Sequence, residues 1–230
     1  MPKNLVKLKK REAVANGTIA FHFDKPAGFE FKAGQFLELA LLNPPETDAE
    51  GNARAFSIAS APAEPHLFVA TRMRDTAFKR VFKTMPLGTE IEIDGPFGDL
   101  ILHNRVERPA VLLAGGIGIT PFRSIVFRAA QEKLAHRLFL FYSNHRPEDA
   151  PFLQELQALQ AVNPNYKLIE TMTAVEGRIS KELLLRHLEK LEGPVYYVAG
   201  PQGLVSGMHE LLNSAGVDDD DIRLEEFAGY

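Results

Sequence analysis

The chain has 230 residues, room for one large domain or two small ones, with 45% hydrophobic and 24% charged residues, the balance of an ordinary globular protein. A formal charge of −4 argues against a general grip on nucleic acid, which needs a basic surface. The absence of cysteine excludes disulfides, a thiolate nucleophile and a Cys-ligated iron–sulfur cluster within these residues.

No apolar run reaches the roughly eighteen residues of a transmembrane helix. Met1-Pro2-Lys3-Asn4 lacks the charged-then-apolar form of a secretory signal, so a cytoplasmic protein is expected.

From Leu5 to about Leu102 the chain reads as short strands joined by turns. Lys7, Lys9, Lys10 and Arg11 read as a solvated strand edge. Gly17–Phe23, Gln35–Leu39, Leu67–Thr71 and Glu90–Asp94 alternate apolar and polar residues, the period of a half-buried strand. The last of these runs into a turn at Gly95-Pro96-Phe97-Gly98. One helix is expected from Thr76 to Met85, with Phe78, Val81, Phe82 and Met85 at i, i+3, i+4 and i+7. Many short strands with turns between them predict a closed antiparallel barrel.

Asn43–Ala53 is a polar loop with two prolines, expected to be mobile. It leads into Arg54-Ala55-Phe56-Ser57-Ile58-Ala59-Ser60. Arg54 can pair bidentately with a phosphate, Phe56 can cover an aromatic ring, and Ser57 can bond a polar ring edge. An ordinary strand with one surface arginine fits the same residues.

Arg105–Pro109 marks the expected boundary between domains spanning 1–105 and 106–230. Beyond it, strand-like runs begin near Val111, Leu138, Lys167, Val195 and Ile222. Helical stretches lie between them at Phe122–Lys133, Asp149–Gln160, Lys181–Lys190 and Leu204–Ser214. Such alternation predicts βαβ units and a five-stranded parallel sheet. In these sheets ligands bind beyond the carboxyl ends of the strands. Three segments fall there: Gly115–Pro121, Ser143–Arg146 and Ala199–Gly203.

Val111–Pro121 reads as strand, glycine loop and helix start. Thr120 is the expected N-cap and Pro121 the first helical residue. Free backbone N–H groups and the positive helix end suit a phosphate. The spacing is not G-x-G-x-x-G, since a proline replaces the third glycine, and a tight turn without a ligand is the alternative. His103, His136, His145, His187 and His209 match no metal-ligand spacing and read as surface residues, so no metal site is expected.

Four motifs in order resemble the ferredoxin–NADP reductase superfamily of flavin oxidoreductases. Arg54-Ala55-Phe56-Ser57 is similar to the family's Arg-x-Tyr-Ser, and Gly115–Pro121 to its Gly-Gly-x-Gly-x-Thr-Pro. Ala199-Gly200-Pro201 with Met208 resembles its Cys-Gly-Pro segment, and Glu225-Glu226-Phe227 its closing Glu-x-aromatic. Phe56 departs from tyrosine, Ala199 from cysteine, and Asp75-Thr76-Ala77-Phe78 from the usual Gly-x-x-Ser.

The resemblance implies a barrel that binds FAD and an α/β domain that binds NADH or NADPH. It assigns Arg54, Phe56, Ser57, Val69, Thr71, Thr76, Ala77 and Phe78 to the flavin, with Arg74 or Lys79 assisting at the pyrophosphate. Gly116, Gly118, Thr120, Gly200 and Pro201 would hold the dinucleotide. Ser143 and Arg146, without an immediate acid, tilt the reading towards NADPH. Ser57 would sit at flavin N5 and Glu225 near the reacting rings. Phe227 would stack on the isoalloxazine as a lid, with Tyr230 as second candidate.

The implied activity is an FAD-dependent NAD(P)H oxidoreductase that passes electrons to a separate acceptor. That acceptor would be a ferredoxin, a flavodoxin, an oxygenase component, a quinone or a ferric complex. Arg72, Arg74, Lys79, Arg80 and Lys83 form either a basic face for an acidic carrier or plain solvated charge. The rivals are a non-catalytic flavin-containing electron-transfer or regulatory subunit, and a nucleotide-binding sensor without flavin.

Overall fold

The computed structural model describes residues 3–227. Six strands form the first sheet: β1 (Asn4–Ala15), β2 (Thr18–Asp24), β3 (Phe36–Leu41), β4 (Ala53–Ser57), β5 (His66–Arg72) and β6 (Glu90–Phe97). They pair antiparallel in the order β4-β3-β6-β1-β2-β5. A bridge between Ile58 and Val69 joins the two ends of that order and closes the barrel.

Side chains alternate across each strand, so Leu8, Phe21, Phe23, Leu37, Leu39 and Ile93 converge inside. Helix α1 (Ala77–Thr84) adds Phe78, Val81 and Phe82 to that core, with Phe82 stacked on Phe21 at 3.7 Å. Each fully buried ring contributes about 1.5–3 kcal/mol. Thr76 caps the helix, its side chain accepting from the Lys79 N–H.

Two expectations change here. β1 lies between β6 and β2, so Lys7, Lys9 and Lys10 lie on a solvated face rather than an edge. Arg11 turns towards α1 and donates to the Phe82 and Met85 carbonyls, which the helix end leaves unpaired. Gly95–Phe97 is not a turn but the continuation of β6, with a register shift opposite Phe36–Glu38. Gly95 at φ 136° permits that irregularity.

The second sheet comprises β7 (Ala110–Gly115), β8 (Leu138–Asn144), β9 (Tyr166–Met172), β10 (Val195–Gly200) and β11 (Ile222–Glu226). All pairs are parallel, in the order β11-β10-β7-β8-β9. Four helices cover it: α2 (Ile119–Gln131), α3 (Leu153–Leu159), α4 (Lys181–His187) and α5 (Gln202–Ser214). With both faces covered, β7 and β10 are buried end to end, which explains their unbroken apolar runs. α3 is shorter than the apolar spacing predicts. Pro147–Asp149 forms a separate 3-10 turn, and Phe152 adopts φ 63°, outside helical space.

Between Phe97 and Ala110 there is no helix or strand, yet this connection is pinned. His103 is buried, not on the surface as expected. Its Nε2 meets the Arg108 carbonyl at 3.1 Å and so carries the proton, leaving Nδ1 to accept from the Tyr197 hydroxyl at 2.9 Å. His136 is also buried, its Nε2 donating to the His103 carbonyl at 2.7 Å. Both are held by backbone partners that no local spacing reveals. No helix among the described residues is long and apolar enough to cross a membrane.

Candidate functional site

The sheet order reverses between β7 and β10, so a crevice opens at their carboxyl ends. The glycine loop lies there. Gly115 ends β7, Gly116–Gly118 makes a 3-10 turn and α2 starts at once at Ile119. Thr120 is therefore not the N-cap. It lies inside the helix, buried, with its hydroxyl donating to the Ile117 carbonyl at 3.0 Å.

The early start follows from close packing. A Cβ at position 118 would lie 2.6 Å from Gly200 Cα and nearer still to the Ala199 carbonyl. The loop is pressed onto β10, and the chain must begin coiling there. α5 begins just after Gly200, at φ 150°, and Pro201. Two thirteen-residue helices thus direct their positive ends to one crevice, a favourable setting for phosphate.

β11 places Glu225 in register with Ala199. From the barrel, β4 ends at Ser57, whose Oγ donates to Glu225 Oε1 at 2.9 Å. These residues stand 168 positions apart, and their bond joins the two sheets at the crevice. Burial raises the Glu225 carboxyl above its ordinary 4.5, the Ser57 bond opposes the shift, and the Asp99 charge adds to it. The Phe227 N–H donates to the Gly200 carbonyl at 3.0 Å; Tyr230 lies outside the described residues.

On the barrel side, Phe56 is half-buried beside Phe78 and Phe82, with centroids 5.9 and 6.1 Å away. The Arg54 guanidinium lies over the Phe78 ring at 5.3 Å. It bonds the carbonyls of Glu50, Gly51 and Ala53 and pairs with Asp48 and Glu50. The polar loop expected to be mobile is thus folded onto Arg54, and a phosphate would have to replace its carboxylates. Thr76 is occupied as a cap, Ala77 and Phe78 bury their side chains, and the Ala77 N–H already bonds the Asp48 carboxylate, so a phosphate here would also have to replace Asp48. Val69 is fully buried in the barrel core and also offers only its backbone. The Thr71 hydroxyl donates to the Arg72 carbonyl.

The basic face is smaller than its sequence suggests. Arg80 is committed to Glu46 and Asp75, and Lys79 donates to the Arg72 carbonyl. Arg72, Arg74 and Lys83 remain exposed.

At the end of β8, Ser143 is half-buried and Arg146 exposed. Two further residues stand at this edge: Asn144, inside the expected Ser143–Arg146 segment, and Thr171, which no spacing singles out. Asn144 is buried with both Oδ1 and Nδ2 unpartnered, and Thr171 is buried with Oγ1 unpartnered. Leaving such atoms unsatisfied costs about 1–3 kcal/mol each. Both sit at the carboxyl edge, where register sets Thr171 beside Ser143. Orphaned polar atoms at this edge fit a polar ligand laid across it.

Residues 112–210 match the family described as Oxidoreductase NAD-binding domain. The glycine betaine monooxygenase reductase subunit of Chromohalobacter salexigens is 28% identical over 227 residues, covering 91% of this chain and 60% of that relative. The reductase component of propane 2-monooxygenase from Rhodococcus jostii is 24% identical over 217 residues, covering 88% and 57%. The chain thus spans about three-fifths of the length of these relatives. The crystal structure of a ferredoxin NADP+ reductase from Neisseria gonorrhoeae, with bound FAD and NADP, superposes with a TM-score of 0.82 at 23% identity, covering 97% of this chain and 98% of that one.

Proposed function

We propose that this chain is an FAD-dependent NAD(P)H oxidoreductase, a reading supported by the match of residues 112–210 to the oxidoreductase NAD-binding domain family and by a fold like that of a ferredoxin NADP+ reductase over the whole chain. The observation that carries this reading is the Ser57–Glu225 bond at the crevice where two helix ends converge. We include in the proposal a boundary within 105–109, a cytoplasmic location, and an acceptor such as an oxygenase component or small electron carrier. With no cysteine in the chain, an iron–sulfur acceptor lies outside these residues.

Flavin supplies hydride acceptance from the nicotinamide and onward electron delivery. The chain supplies the rest. The glycine loop and the α5 start present N–H groups to the dinucleotide. Arg54 and the start of α1 serve the flavin phosphates, and Phe56 with its ring neighbours gives the ring system a packing face. The raised pKa of Glu225 lets it hold a proton closer to neutrality, and the Ser57 hydroxyl links that proton to the crevice.

Reconstitution with FAD is expected to give a yellow protein that NADPH bleaches anaerobically and that turns over with an artificial acceptor. Failure to take up flavin would favour the nucleotide sensor; bleaching without turnover would favour the non-catalytic subunit. In Arg146→Ala, kcat/KM is expected to fall with NADPH and hold with NADH. An equal change for both nucleotides removes Arg146 from the selectivity argument.

Glu225 also makes a pH prediction. Between 4.5 and its raised value, the folded chain keeps a proton that the unfolded chain releases. Stability therefore falls as pH rises through that window. Glu225→Gln should lack this decline in a series of melting curves and lose the matching limb of the flavin-reduction pH profile. A variant that keeps both assigns them to another group.

A further inference from the structure

A cavity of about 850 Å³ opens between the barrel and the second domain. Ser57, Glu225 and the glycine loop take no part in its lining. Its volume and its position between domains are those of small-molecule sites.

The floor is aromatic. Phe68 of β5 and Phe152 before α3 approach with centroids 6.2 Å apart, and His22 stacks on Phe68 at 4.6 Å. Across this floor lies Arg123 of α2, its guanidinium 4.7 Å from the Phe68 centroid and 5.4 Å from that of Phe152. Its side chain is only 5% exposed and is held by Glu64 and Glu155. The chain thus already demonstrates the chemistry the groove favours, a planar cation laid on rings and gripped by carboxylates.

The walls carry more negative charge than Arg123 satisfies. Glu12 and Glu148 line the same space as Glu64 and Glu155, and only the last two contact the guanidinium. Glu12 has partners in Lys10 and His22, but Glu148 has no ion pair among the described residues. Burial holds His22 below its ordinary 6.5, although the Glu12 charge opposes the shift, so near neutral pH this ring adds little compensating charge. A cleft whose carboxylates outnumber its cations raises the local concentration of a positively charged ligand.

We propose that this groove is a second ligand site, taking a small organic cation with an aromatic or apolar body. The apolar floor favours such a body over a bare metal ion, and the acidic walls repel the phosphates of a dinucleotide. The site is therefore separate from the crevice, and it stands whether or not the crevice holds flavin.

The test uses the full chain with benzamidinium as probe, and with benzoate and benzyl alcohol as matched anionic and neutral controls. Benzamidinium should raise the melting temperature saturably while the controls do not, and NADPH should not displace it. Glu148→Gln should weaken binding about two- to fivefold, the effect of removing one exposed charge pair. Gln154→Arg places a cation on an exposed lining residue and should abolish binding. Equal shifts with benzyl alcohol, displacement by NADPH, or unchanged affinity in both variants would overturn the proposal.

Discussion

Arg123→Met is expected to lower the melting temperature by about 10 °C. Arg123 stands on α2, yet its guanidinium donates to the Ala59 carbonyl of the barrel at 2.9 Å and to both oxygens of Glu64, as well as to Glu155 of α3. It bolts the two halves together from inside. Removing the buried guanidinium strips its donors from the Ala59 carbonyl and from two partly exposed carboxylates, which costs about 3 kcal/mol, the low end for a broken buried pair. In a chain of this size each kcal/mol moves the melting point by about 2–4 °C.

Arg123→Lys keeps the charge but loses the planar fork, so it should recover only part of the loss. Replacing Arg123, Glu64 and Glu155 together by neutral residues should cost less than Arg123→Met alone, since no orphaned charge remains. A single variant that melts like the parent would show that the cluster contributes nothing net. A kinetic consequence accompanies the thermal one. Ala59 lies two residues beyond Ser57, and α2 begins where the glycine loop ends. The clamp therefore sets the spacing across the crevice, and its loss should slow flavin reduction.

Gly118→Ala is expected to weaken nicotinamide binding about tenfold or more, a change of ~1.4 kcal/mol, while flavin remains bound to the barrel. The added methyl would meet the Ala199 carbonyl and Gly200 Cα closer than the 3.0 Å that real Cβ atoms keep. Every obstacle is backbone, so no side chain can swing aside. Loop and β10 must part, and overpacking of this kind costs about 1–3 kcal/mol. Gly207→Ala is the control. It lies in α5 with nothing within 4 Å of its Cβ position, and alanine is the better helix former by about 1 kcal/mol. Parent-like nicotinamide affinity in Gly118→Ala would mean the loop does not seat the dinucleotide.

The elements that could be read directly are those whose signal is local. The strand starts at Ala110, Leu138, Tyr166, Val195 and Ile222 follow from strand-like runs alternating with helical spacing, and the unbroken apolar runs of β7 and β10 fit a sheet covered on both faces. The core side of α1 follows from helical spacing, whereas Thr76 turns out to cap the helix rather than begin it. The same local logic misplaced Thr120, because a good capping residue is overruled when packing against β10 makes coiling begin at the glycines. It also lengthened α3, because Phe152 gives up helical geometry as its ring joins the floor beside Phe68.

The partners of Ser57, Arg123 and His103, and the unpartnered state of Asn144 and Thr171, could not be read at all. Ser57 needs Glu225, 168 residues away. Arg123 needs Glu64 and Ala59 from the other half of the chain. Asn144 and Thr171 stand out only once burial shows that their polar atoms lack company. By itself, the order of amino acids determined which segments are strands and helices, that a barrel precedes a parallel sheet, and where the glycine loop lies. Periodicity and turn chemistry act over a few residues and survive without the rest of the molecule. Tertiary structure alone decided which charges are clamped, which polar atoms are left for a ligand and which face of the interface stays open, because burial and electrostatics depend on neighbours that chain order does not name.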